Sequence, residues 1–274
     1  MASEKGVGMC SFQRRHLLER AGDHAGYLPW AFGAAKDGRA DAFRDLLSAE
    51  GFAGKCTVTF AERRHPCFGI FTTGKELNDW LTARGEATVD PEGHECLWNG
   101  PSWPFATSLM LTALANLLAS EEAQESITPK DYVFLLTQYA SAHTITMPDG
   151  RTLPWIDENM DPDTGEWIAR NRLRNWKGEC FPKSKGGYER GKDYNHSTFC
   201  DLMLEGLFGI RPSEDALTVT PLFPADWKYA CVSDVFVHGK ELRITYRKGE
   251  GYRVFLDGTE RFRADMPDKC RIAW

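Results

Sequence analysis

The chain lacks any CxxC pair and any HxxxH or HxH spacing, which excludes the ligand patterns that hold structural or catalytic zinc. Its acidic residues follow no calcium-loop pattern. The phosphate-cradling GxxxxGK[ST] and GxGxxG loops are missing, as is the GxSxG turn that presents a serine nucleophile. Neither a metal nor a cofactor is therefore expected. Uninterrupted apolar runs of about 18 residues are also lacking, and no apolar core follows the charges of the opening MASEKGVGMCSFQRRHLLER. These absences argue against a membrane span and a secretory signal, and a cytoplasmic location is the expectation. Long runs of one charge sign are missing too. With 33 Lys and Arg against 39 Asp and Glu, the net charge of −6 is spread out, which argues against nucleic acid or an anionic membrane as partner.

What is present is enough apolar material for a sizeable core: 42% of 274 residues are hydrophobic and 12% aromatic. Eight cysteines at long intervals are expected as free, mostly buried thiols, because a chain of this length needs no disulfide staples. Apolar residues recur three and four apart over Phe12–Arg20, Arg39–Leu47, Phe105–Leu118, Lys130–His143 and Ser197–Phe208, which predicts helices. Thr128 followed by Pro129 and Asp131 marks a helix start, since proline suits the first helical position and an aspartate favours the positive end of the dipole. After Arg211-Pro212 the period changes to two: Leu217, Val219; Val235, Val237; Leu242, Ile244, Tyr246; Tyr252, Val254. Turn signals at His238-Gly239 and Asp257-Gly258 make this a string of antiparallel strands. The expected organisation is a helical region over 1–212 and a small β tail over 213–274, leaning on the helices or completing a sandwich.

Long loops rich in Gly, Pro and Trp separate the helices, and such loops are often functional. In Trp98-Asn99-Gly100-Pro101-Ser102-Trp103-Pro104 a polar and aromatic turn runs directly into a helix too apolar to have a wet face. In Pro154-Trp155-Ile156-Asp157-Glu158-Asn159-Met160-Asp161-Pro162-Asp163-Thr164-Gly165 two adjacent carboxylates precede a turn, where a fixed carboxylate could activate water. The plainer reading is a solvated acidic pair. Tyr194, Asn195 and His196 sit in a glycine-rich segment at a helix mouth, where Asn195 could equally be a cap and His196 a satisfied core histidine. Tyr27 and Trp30 could stack on a pyranose, and Glu62, Arg63 and His65 could bond its hydroxyls. The alternatives are core aromatics and an ion-paired surface turn.

Taken in order, GYLPWAFG, FAERRHP, LWNGPSWPFATS, PWIDENMDPDTG and ERGKDYNHSTFCDL resemble the C-terminal half of six-hairpin glycosidases. The similarity is to the mannosylglycerate-hydrolase-like group, related to oligosaccharide-processing α-glucosidases and trehalases. That resemblance implies a mainly α fold, a partial (α/α)6 toroid followed by a small antiparallel β region. It also implies an inverting hydrolase of a small carbohydrate substrate, with the general base falling on Glu158. Trp98, Asn99, Trp103 and Tyr194 would line the sugar site. Inversion requires the two carboxyl groups roughly 6.5 to 9.5 Å apart, so that a water fits between base and anomeric carbon. The family's acidic aspartate lies upstream of the matched segments, so the chain reads as a fragment whose missing N-terminal half carries the acid. A non-catalytic sugar-binding remnant is the alternative, and a helical scaffold with core aromatics a weaker one.

Overall fold

A computed structural model of the protein describes residues 24–34, 40–65, 68–86, 98–120, 127–170 and 198–274. The predicted helix over Phe12–Arg20 and the candidates Tyr194, Asn195 and His196 lie outside these residues. The expectation of a mainly α chain forming part of a toroid is corrected: of the described residues 34% are helical and 26% strand, and they form nine strands in three antiparallel sheets. The physical reason lies at both ends of the described chain. The tail over 213–274 is not a small appendage: it supplies six of the nine described strands, and a seventh, Ile210–Pro212, immediately precedes it. Two segments with helical periodicity form other helices: Ala40–Leu47 is a 3-10 helix, and the predicted last helix is a short α-helical turn, Thr198–Asp201, followed by π-helical residues Leu202–Leu207.

Five α-helices are described: α1 (Leu28–Ala31), α2 (Gly74–Ala83), α3 (Pro104–Ala119), α4 (Pro129–Ala142) and α5 (Thr198–Asp201). Helix α3 matches its predicted range and is almost wholly buried, Met110, Leu111, Ala113 and Leu114 among its core residues. Helix α4 starts at Pro129 as expected, with Asp131 Oδ2 accepting from both the Thr128 amide and hydroxyl at 2.7 Å. Helix α2 is not among the helices that periodicity predicted. Its start is a reciprocal box in which Thr73 Oγ1 accepts from the Glu76 amide and Glu76 Oε2 from the Thr73 amide, each at 3.2 Å. Leu77 and Leu81 then pack with Phe71 and Trp80. Among the described residues no helix is long and apolar enough to cross a membrane.

The chain divides into two compact units. The first comprises residues 1–28, 41–110 and 138–196 and holds the aromatic and carboxylate loops. Here Tyr27 packs on Phe43 and Phe52, and strands β1 (Thr144–Thr146) and β2 (Thr152–Pro154) pair as an antiparallel hairpin that leads into the Asp157-Glu158 segment. A small core of Ile156, Met160 and Trp167, joined by Ala142, Ile145 and Trp155, sits under that segment.

The second unit comprises 29–40, 111–137 and 197–274. It contains a three-stranded sheet in the order β3 (Ile210–Pro212), β4 (Ala216–Val219), β9 (Cys270–Ala273). A four-stranded meander follows the chain: β5 (Tyr229–Val237), β6 (Lys240–Arg247), β7 (Gly251–Leu256), β8 (Thr259–Ala264). The period-two residues Leu242, Ile244, Tyr246, Tyr252 and Val254 are buried on one face, as alternation requires. His238 and Gly239 at φ 49° and 75°, and Asp257 and Gly258 at 49° and 73°, make the two-residue turns whose twist matches the flanking strands.

Candidate active site

In the first unit Trp98 and Trp103 stack face to face, 4.0 Å between centroids and 3° from parallel. Trp103 is buried beneath and Trp98 is 42% exposed, so the pair presents one indole face on a rigid base. Phe60 meets Trp98 edge-on at 4.9 Å and holds it from the side. The turn between the two indoles is tightly seated. The Gly69 amide donates to the Asn99 carbonyl at 3.1 Å, and a Cβ on Gly100 would lie 2.1 Å from the Gly69 carbonyl oxygen. Only glycine fits that approach. Tyr139 of α4 donates its hydroxyl to the Pro104 carbonyl at 3.2 Å and fixes the start of α3 beside the stack.

The two adjacent carboxylates have different surroundings. Asp157 is fully buried. Its Oδ2 accepts from Arg170 Nε at 2.7 Å and from the Trp155 indole at 3.4 Å, while its Oδ1 accepts from the Glu158 amide at 3.0 Å. Glu158 is half-buried. On the far side of Glu158 the chain is held again: Asn159 Oδ1 accepts from the Ala169 amide, the Asn159 carbonyl from the Ile168 amide, and Met160 bridges both Ser102 and Trp167. Met160 and Ser102 exchange amide hydrogen bonds at 2.9 and 3.0 Å, and Ser102 is the residue before Trp103. The carboxylate loop and the aromatic turn are thus one hydrogen-bonded assembly.

The remaining candidates fall in several places. Arg63 donates to both oxygens of Asp163 at 2.8 Å and to the Ala53 carbonyl, tying its own turn to the Asp161–Gly165 turn. Glu62 is buried and pairs with Arg64, which also reaches Asp45 at 3.0 Å. His65 is half-buried, its amide donating to the Glu62 carbonyl at 3.0 Å. Tyr27 is buried in the core with its hydroxyl on the Ala42 carbonyl at 2.8 Å, and burial raises its ionisation well above the usual tyrosine value. Trp30 belongs to the second unit, where its carbonyl accepts from Asn116 at 2.9 Å. Sequence reasoning missed Arg170, Asp163 and Phe60: a lone arginine at the end of GEWIAR carries no pattern, and its pairing with Asp157 spans 13 residues. Among the described residues no three His, Cys, Asp or Glu side chains form a group that could hold a metal ion.

His24 lies behind the aromatic turn, buried against Phe60 at 5.3 Å and Phe52 at 5.7 Å. Burial pushes its pKa down from 6.5 to about 4, against a smaller opposing pull from the backbone at Thr59 and Ala106. A histidine depressed in the folded state binds its proton more readily when unfolded. Its contribution is present above pH 6.5 and is lost as pH falls through 4, about 3 kcal/mol over that window. The expected result is that urea midpoints fall steeply between pH 6.5 and 4 in the parent and less steeply in His24→Leu; equal slopes would remove His24 as the cause.

A solved structure titled "Sialidase" is similar, with 31% identity and a TM-score of 0.69 over 92% of this chain and 20% of that chain. The chain therefore spans about a fifth of that protein's length. No curated protein matches significantly. Residues 4–197, which include the aromatic turn and the carboxylate loop, match the model for the mannosylglycerate hydrolase MGH1-like glycoside hydrolase domain, and the chain belongs to that family.

Proposed function

We propose that this glycoside hydrolase domain performs inverting hydrolysis of a small α-linked glycoside or oligosaccharide, with Glu158 as the base that activates water. The observation that carries this reading is the division of labour between adjacent carboxylates. Asp157 has its oxygens committed to Arg170, Trp155 and the Glu158 amide, whereas Glu158 is half-buried on a loop bonded through Met160 and Ser102 to the Trp98–Trp103 stack. A sugar ring lying on the Trp98 face would bury its C–H surface against the indole. As the water oxygen attacks the anomeric carbon, its proton passes to Glu158, and the bond to the leaving oxygen breaks as an acid on the opposite side protonates it. On this reading the acid would come from residues outside the matched segments. The first unit's described elements also fit a second reading, sugar binding without turnover, because a stacking platform does not need an acid.

The test is release of sugar by the chain, alone and within any longer natural form, from glucosylglycerate, mannosylglycerate, trehalose and short α-glucosides, with a sialoside added because of the structural relative's title. Trp98→Ala is expected to raise KM roughly threefold to tenfold, the loss of one aromatic contact of about 0.5 to 1.5 kcal/mol. Binding to these sugars without release in either form would favour the second reading. Release unaffected by Trp98→Ala would remove the platform from the site.

A further inference from the structure

From the contacts around Glu158 we infer that Asp157 and Arg170 are positioning residues, a buried clamp that fixes the peptide and hence the direction of the Glu158 side chain. This rests on the reading of Glu158 as the base. A carboxylate that must take a proton from one bound water has to be held to within a fraction of an ångström, yet Glu158 lies outside every strand and helix of the described fold. Its neighbours supply the missing rigidity. After it, Asn159 and Met160 are laddered against Ile168, Ala169, Trp167 and Ser102. Before it, the β1–β2 pairing ends with the Trp155 amide on the His143 carbonyl at 2.9 Å, and from there the restraint comes from Asp157, whose Oδ1 takes the Glu158 amide at 3.0 Å while Arg170 holds Oδ2 at 2.7 Å.

The clamp is suited to this task electrically as well as geometrically. The Asp157 and Arg170 side chains are 0% and 5% exposed, so each charge needs the other. Together they are neutral and add no net charge beside the base. The guanidinium also lies 5.6 Å over the Trp155 ring, whose indole donates to the same carboxylate, so three side chains define one position. Buried ion pairs are weak sources of stability compared with apolar residues of the same shape, and are better understood as devices that select one arrangement. Here the arrangement selected is that of the residue next in sequence to Asp157.

The experiment uses the longest natural form that releases sugar and compares Asp157→Asn, Arg170→Lys and Glu158→Gln, with hydrogen exchange at the Glu158 amide as a second readout that needs no turnover. Asp157→Asn leaves an acceptor of the same shape but removes the charge that orders Arg170. It is expected to lower kcat roughly 10- to 100-fold with KM changed less than about threefold, and to speed exchange at Glu158; Arg170→Lys, which keeps the charge, should recover part of both. A folded Asp157→Asn protein with parental kcat, or unchanged exchange at Glu158 in both variants, would make the pair merely structural and overturn the inference. If Asp157→Asn does not fold, Arg170→Lys decides by the same two readouts. Full turnover by Glu158→Gln would defeat the base assignment instead, and the exchange data would still say whether the clamp holds that peptide.

Discussion

Glu158→Gln is expected to lower sugar release by about 100- to 10,000-fold, the usual contribution of a positioned acid or base, with little change in thermal stability. The substitution keeps size and shape but replaces an oxygen that accepts a proton with an amide that does not. Stability should be spared because the peptide is held by groups that the substitution leaves alone. The Glu158 amide still donates to Asp157, and Met160 still exchanges hydrogen bonds with Ser102. Measured kcat and melting temperature on the same preparation check both halves of the claim. Parental turnover in the variant would show that another group activates the water, and a loss of folding would show that Glu158 is structural.

The assignment of Glu158 rather than its neighbour illustrates what the sequence could and could not say. An Asp-Glu pair is symmetrical on paper, and motif resemblance alone selected the second residue. What motif resemblance does not supply is the arginine 13 residues downstream that takes up the first carboxylate, a contact that no periodicity announces and that supports the proposal of the second as base. Local signals were reliable where local physics decides. Thr128-Pro129 starts α4, His238-Gly239 and Asp257-Gly258 turn the meander, and the mostly apolar segment after Trp103 is a largely buried helix. The box that starts α2 is equally local, Thr73 three residues before Glu76, but the helix it starts is not among those that periodicity predicted.

Fold class failed for a different reason. Resemblance over the loops carried with it the architecture of the relatives' helical region, while the second unit of this chain is dominated by strands that those motifs do not describe. Helical periodicity over Ala40–Leu47 and Leu202–Leu207 also did not specify the helix type, because 3-10, α and π hydrogen bonding differ by one residue in register. In the last segment Tyr132 donates to the Leu202 carbonyl at 2.8 Å, and a Cβ on Gly206 would lie 2.0 Å from that phenol oxygen. Such a contact between distant residues lies along the π-helical segment, and it is invisible to a reading made one window at a time.

Arg170→Ala should destabilise the protein by about 3 to 5 kcal/mol, the cost of removing one partner of a buried ion pair and leaving the other charge behind. Asp157 would keep only the Trp155 indole and the Glu158 amide for a carboxylate with no exposure. The loss would also strip packing from the Trp155 face that the guanidinium covers. Urea denaturation at neutral pH measures the change, and a loss below about 1 kcal/mol would mean that water reaches Asp157 and replaces the arginine. The companion variant, Asp157→Leu with Arg170→Met, removes both charges and should recover most of that stability, since apolar pairs of similar volume commonly match or exceed the ion pair they replace. Its turnover should stay low, because a leucine cannot accept the Glu158 amide. Stability restored without activity would separate what the pair does for the fold from what it does for the base, and both restored together would assign the pair to folding alone.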